Sequence, residues 1–239
     1  MSEFINTADI IGDDELCDQI IMRTVTEYKE NRISMVGKSA FYGCTALTAV
    51  DVPNATSIAS FAFLGCTALA SVNAPNVTKA GGVYDETNGV FRDCTSLTSV
   101  NLTNLVSMGG GLFYNCTALT HVGLPSVTIC QGRIFQGCTN LAVVDLTVVT
   151  SILGHYGLYG CTNLKAVILR AGSVVTLGAG NCFQNSSVAN GTGYIYVPSA
   201  LVDTYKAATN WSTYAAQFRA LEDYTVDGTI TGELDETKI

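Results

Sequence analysis

Six of the nine cysteines stand at nearly equal intervals, at Cys44, Cys66, Cys94, Cys116, Cys138 and Cys161, and the only imidazoles are His121 and His155. Three chemistries use such residues. A thiolate activated by an imidazole can attack a carbonyl, but the two must meet in a solvent-facing pocket. Four thiolate, imidazole or carboxylate ligands can hold zinc tetrahedrally, yet the chain has no Cys-x-x-Cys pair to supply adjacent corners. Two thiols can form a disulfide, provided their Cβ vectors converge.

The spacing argues against all three. Each of these cysteines sits inside one heptapeptide, Phe-x-x-Cys-Thr-x-Leu, opening at Phe41, Phe63, Phe91, Phe113 and Phe135 and, with leucine replacing phenylalanine, at Leu158. Subtracting neighbouring cysteine numbers gives steps of 22, 28, 22, 22 and 23 residues, within the 20 to 29 expected when each repeat is one strand-bearing coil of a leucine-rich array. Every copy continues as Leu-x-x-Val-x-apolar, so that Leu97, Val100 and Leu102 point inward while Thr98, Ser99 and Asn101 point outward. A second apolar pair follows, such as Val127 with Ile129. Cysteines in one phase of such a repeat are core residues whose side chains run parallel, and they act as small hydrophobes. The expectation is therefore no catalytic residue, no metal and no cofactor: a protein that is not an enzyme.

The fold class predicted is an α/β solenoid, a right-handed leucine-rich repeat array with a parallel sheet and helical caps at both ends. Residues 1–37 read as an N-terminal capping helix, with Asp13 and Asp14 ahead of Leu16, Ile20 and Ile21, followed by a degenerate first coil. Residues 38–193 hold repeats of about 22 residues. Residues 194–224 read as a strand-helix cap, in which Ser199 would cap a helix carrying Leu201, Val202 and Tyr205 on one face. Residues 225–239 form an acidic, mobile tail. The one long step comes from extra residues around Gly81 to Gly89, which a solenoid extrudes as a loop.

Charge narrows the partner class. The net charge is -8, with 3 Lys/Arg against 8 Asp/Glu in residues 1–37, 6 against 5 in 38–193 and 3 against 7 in 194–239. Lysines and arginines are nowhere clustered, so neither nucleic acid nor an anionic membrane surface is a partner. No apolar run reaches 18 residues, which argues against membrane insertion, and the first residues lack the pattern of a signal peptide. What remains is a protein or other macromolecular ligand. It would meet the outward sheet residues, represented by Asp51, Asn73, Asn101, His121 and Asp145, or the loop residues Tyr84, Asp85, Glu86 and Asn88. Caps at both ends favour a monomer.

The consensus Ala-Phe-x-(Gly/Asn/Asp)-Cys-Thr-x-Leu-x-x-Val-x-Leu-Pro, matched from Ser39 to Ile152, resembles the BspA-like leucine-rich repeat family of bacterial surface and secreted proteins. The resemblance implies adhesion or binding of host or matrix proteins, and an extracellular or cell-surface location. The segment Tyr194 to Tyr224 also looks like the tail of short repeat proteins from gut bacteria and their phages. An alternative is therefore a structural or receptor-binding component of a phage or phage-like particle, with the cytoplasm a further possible location.

Overall fold

Stacking begins at the corner where each heptapeptide turns. The computed structural model describes residues 25–82 and 89–223, together with the backbone of 225–226 and 229–230. Within them the chain winds as a parallel-sheet β-solenoid of about eight turns. The strands Glu27–Lys29, Ala49–Asp51, Ser71–Asn73, Ser99–Asn101, His121–Gly123, Val143–Leu146, Ala166–Leu169 and Tyr194–Val197 mark coils one to eight on the main face. All pair in parallel except the fourth and fifth, which do not pair with each other. A second face carries two-residue strands, from Met35–Val36 through Ser107–Met108 and from Ile129–Cys130 through Thr176–Leu177, broken between the same two coils.

Register follows from the sequence alternation. Val50, Val72 and Val100 align across coils two to four, and Val122, Val144, Val167 and Ile195 across coils five to eight. Most point into a single core that also holds the heptapeptide leucines and all five phenylalanines. Those phenyl rings form a stacked column with centroids 5.1, 5.4, 5.6 and 5.6 Å apart from Phe41 to Phe135. Each buried ring contributes roughly 1.5–3 kcal/mol by transfer, and stacking adds about 0.5–1.5 kcal/mol.

The array is less helical than the sequence suggests. A coil of about 22 residues spends its length on two strands and their turns, leaving no room for a return helix. Among the described residues the only α-helix is Val202–Ala207, flanked by short 3-10 turns at Ser199–Leu201, Trp211–Gln217 and Leu221–Asp223. A β-solenoid therefore replaces the α/β class. The expected N-terminal helix lies outside the described residues. Ser199 makes no capping bond, its hydroxyl donating instead to Glu222 Oε1 at 3.3 Å. The tail residues Thr225–Val226 and Thr229–Ile230 form a small antiparallel pair.

The C-terminal end is closed by side chains that imitate a missing coil. Within the array, the carbonyls of Thr150 and Ile152 accept the amides of Thr176 and Gly178 from the next coil. Their counterparts one coil later, Val175 and Leu177, instead accept Trp211 Nε1–H and Asn210 Nδ2–H, both at 2.7 Å. Trp211, Tyr205 and Phe218 pack edge-on or tilted around this point, with Phe183 extending the cluster. The strand Phe218–Ala220 then pairs in parallel with Tyr194–Val197 and closes the main sheet.

Removing the indole donor strands a buried carbonyl. Trp211→Phe should destabilise by about 1–3 kcal/mol and Trp211→Ala by about 3–5 kcal/mol, read as a lowered midpoint in urea unfolding. Equal midpoints for Trp211→Phe and the unaltered chain would mean the carbonyl does not need the indole.

Candidate interaction surfaces

The main sheet face divides into two chemically different halves. On the N-terminal half, Asp51, Asn73 and Asn101 stand opposite one another in successive strands. Asn73 Nδ2 donates to Asp51 Oδ1 and Asn101 Nδ2 to Asn73 Oδ1, each at 2.8 Å, while Thr103 Oγ1 donates to Asn101 Oδ1 at 2.7 Å. The amides thus form a ladder that spends its hydrogen bonds internally.

The ladder stops at Gly123, and toward its C-terminal end the face is covered. Ala166 and Ile168, which alternation alone assigns to the exposed face, are buried with Val143, Tyr196 and Leu221 packed against them. Asp145 is buried too, correcting its expected place on an open surface. Its Oδ2 lies 3.4 Å from Arg170 Nε and its Oδ1 accepts Thr147 Oγ1–H at 3.1 Å. Burial raises its pKa, opposed by the Arg170 guanidinium and the Thr147 hydroxyl. His121 lies in a different outward row from Asp145, opposite Val143, exposed, with Nδ1 3.1 Å from Thr120 Oγ1. Tyr84, Asp85, Glu86 and Asn88 lie outside the described residues.

A surface the sequence reading missed runs along the heptapeptide corner. Most coils turn there through two left-handed positions, one two residues before the first residue of the heptapeptide and one two residues after, while the corner at Phe91 has only the second, at Asp93. Glycine, Asp or Asn fills most of them, but Phe61, Arg133 and Tyr156 adopt φ of 62°, 58° and 59°. Large side chains there cost about 1–2 kcal/mol apiece. Gly111 occupies the equivalent place in coil five at φ 65°, so the backbone does not demand the bulk. Beside these positions run Tyr42, Arg92, Tyr114 and Tyr159, all at least partly exposed.

These side chains meet across coils. The Arg92 guanidinium lies 4.6 Å from the centre of the Tyr114 ring and that of Arg133 5.0 Å from Tyr156. Tyr156 meets Tyr159 edge-on at 5.3 Å, and Asn185 Nδ2 donates to the Tyr159 hydroxyl at 2.7 Å. His155 sits at the border, its Nδ1 3.2 Å from Asn181 Oδ1. The result is a ridge of ring and guanidinium held in place by stacking. The only sequence cue was that these columns, read in register, hold more Tyr and Arg than the strands do.

Inside the corner, the thiols are fully engaged. Sγ of Cys66, Cys94, Cys116, Cys138 and Cys161 each donates to the carbonyl of the phenylalanine one coil earlier, at 2.9–3.1 Å. All eight described cysteines are buried and none is in a disulfide, and no cluster of three metal-binding side chains occurs among the described residues. Burial pushes the thiols of Cys66, Cys138 and Cys182 up to about 12, and those of Cys94, Cys116 and Cys161 well above the usual range. Buried thiols held as donors are not nucleophiles.

A family model described as a BspA type leucine rich repeat region matches in six copies, over residues 9–142 and 86–200. No curated protein matches. Among solved structures, a leucine-rich repeat protein from Eubacterium ventriosum aligns at 22% identity and a TM-score of 0.55, over 69% of this chain and 44% of its own. A T. pallidum leucine rich repeat protein aligns at 26% identity and a TM-score of 0.45, over 53% and 62%. A leucine rich cell surface protein from Faecalibacterium prausnitzii aligns at 18% identity and a TM-score of 0.42, over 73% and 69%. The chain thus spans less than two thirds of the first two. The Eubacterium ventriosum likeness bears on the fold. Among the described residues no helix is long and apolar enough to cross a membrane.

The thiol chemistry sets a pH limit. The folded-state thiols titrate above the ordinary value of roughly 8.5, so the unfolded chain loses its protons first as pH rises. Their contribution is complete below the ordinary value and is lost through the interval up to about 12, at about 1.4 kcal/mol per pH unit for each thiol. The urea midpoint should hold steady from pH 7 to 8 and collapse above pH 9. An Ellman-type reagent should label none of the eight described thiols in the native state at pH 7.5, and all of them in denaturant. Rapid native labelling would show a solvent-facing thiol.

Proposed function

Because the chain belongs to the BspA-type leucine-rich repeat family, generally non-enzymatic repeat proteins that mediate protein interactions, we propose that it is a protein-binding module that works by shape-complementary contact without chemistry. The observation that carries the reading is the corner ridge. Tyr and Arg are the residues that dominate the energetics of protein interfaces, because they bury large area with few rotamers to freeze. Here the arginines already lie on tyrosine rings, so docking orders little that is not ordered beforehand. The strain held at Phe61, Arg133 and Tyr156 supports the same conclusion, since unfavourable backbone persists where a side chain has a use.

The outward sheet positions Asp51, Asn73, Asn101 and His121 form a second surface for the same role. The Asn73 and Asn101 amides are committed within the ladder, which favours the ridge over it. The loop residues Tyr84, Asp85, Glu86 and Asn88 belong to this proposal as a third contact. We propose adhesion at an exterior surface as the setting, on the family resemblance.

The test is surface plasmon resonance against immobilised matrix glycoproteins, comparing two triple variants with unchanged circular dichroism. Arg133→Ala/Tyr114→Ala/Tyr156→Ala should weaken binding at least about tenfold, while Asp51→Ala/Asn73→Ala/Asn101→Ala should leave it within about twofold. The reverse pattern moves the contact to the sheet face. Full binding by both variants would overturn the surface assignment, and no binding by the unaltered chain to any of the glycoproteins would overturn the adhesion setting.

A further inference from the structure

Both sheets end between coils four and five, and the side-chain ties between coils stop at the same place. Elsewhere in the N-terminal half, side-chain amides tie coil to coil: Asn73 to Asp51, Asn101 to Asn73, and Asn76 Nδ2 to the Pro53 carbonyl at 2.9 Å. Coil five has Gly123 where Asn101 stands in coil four and Ser126 where Asn104 stands. Neither can reach back across the interface. Thr120, whose counterpart Thr98 donates its hydroxyl to the Ala70 carbonyl at 3.1 Å, has its Oγ1 engaged by His121.

The backbone bonds are missing at the same place. Across the coil three to four interface, the amides of Ala74, Thr98, Val106 and Gly109 donate to Asn101, Ala70, Thr78 and Ala80 at 2.8–3.0 Å. Their counterparts one coil later, those of Leu102, Thr120, Thr128 and Gln131, make no hydrogen bond to the facing coil. The core registers the opening as well. Val100 is half-buried, whereas the equivalent Val50, Val72, Val122 and Val144 are buried.

The corner, in contrast, is unbroken. Phe91 N–H donates to the Leu112 carbonyl at 3.0 Å and Asp93 N–H to the Tyr114 carbonyl at 2.8 Å. Cys116 Sγ reaches the Phe91 carbonyl at 3.0 Å, Asn115 Nδ2 reaches Asp93 Oδ1 at 2.8 Å, and Phe113 stacks on Phe91. One side of the interface is pinned by backbone, thiol and ring contacts, and the other two sides are open.

We infer that this interface is a hinge: coils one to four and coils five to eight are two stiff blocks that rotate about the heptapeptide corner, opening and closing both sheets along the seam. In a solenoid each coil is held only by its neighbours, so one weak interface suffices to divide the array. Rotation would change the curvature of the main face and the distance between its polar ladder and its covered half, letting the array adapt to a partner.

Amide hydrogen exchange on the intact chain tests it. Leu102, Thr120, Thr128 and Gln131 should exchange at least about tenfold faster than Ala74, Thr98, Val106 and Gly109. In the double variant Gly123→Asn/Ser126→Asn, the introduced amides can tie coil five to coil four, and the same four sites should slow toward their counterparts while amides at the corner, such as Phe91 and Asp93, stay protected in both proteins. Equal protection of the two sets in the unaltered chain would mean that the sheets are continuous in solution, and would overturn the hinge. Corner amides exchanging as fast as the seam would overturn the pivot.

Discussion

The structure rests on one repeated contact, the thiol of each coil donating to the phenylalanine carbonyl of the coil before it. That bond is weak alone, but it places a donor, an acceptor and two stacked rings at one corner of every interface from Phe41 to Phe135. A cysteine suits the position because it fills space like a small hydrophobe while still supplying a proton to a carbonyl inside the core. The corner fixes the rise per coil, and sheet register follows from it. The six extra residues between Cys66 and Cys94 leave it untouched, since Cys94 Sγ still reaches the Phe63 carbonyl at 3.1 Å.

Polar groups in a solenoid have two places to go, sideways to the next coil or outward to solvent. Over most of this chain they go sideways: threonine hydroxyls donate to carbonyls one coil back, as Thr56 does to Ser34 and Thr150 to Thr128, and asparagines join in ladders. The face they form is well satisfied and makes few demands on a partner. At the C-terminal end, where no further coil exists, Trp211 and Asn210 supply the two donors that the next backbone would have brought. The same accounting of buried carbonyls governs the interior and the end.

Much of this was legible beforehand, because strand alternation and the cysteine phase report local geometry directly. Leu97 and the heptapeptide phenylalanines are buried where the period puts them. Three things were not legible. A seventh copy of the motif, one residue short from Phe183 to Val188, is hidden because Ser186 stands at the cysteine position. The burial of Ala166 and Ile168 depends on Leu221, more than fifty residues away, which no local pattern encodes. The ridge was overlooked because its residues look like variable turn positions one coil at a time. Arg92 and Tyr114 are 22 residues apart, and only stacking in register sets one over the other.

The placement of the seam gives these surfaces different roles. Arg92 and Tyr114 belong to coils four and five, so the ridge crosses the weak interface on its pinned side, where ring stacking and the Asn115–Asp93 bond persist. The ladder of Asp51, Asn73 and Asn101 ends at that interface on its open side. Rotation about the corner would leave a ridge-bound partner nearly undisturbed while shifting anything that bridged both halves of the main face. A ligand on the ridge is therefore weakly coupled to the hinge, and one spanning Asn101 and the strand at His121 is strongly coupled, because only the second has different contacts in the two states.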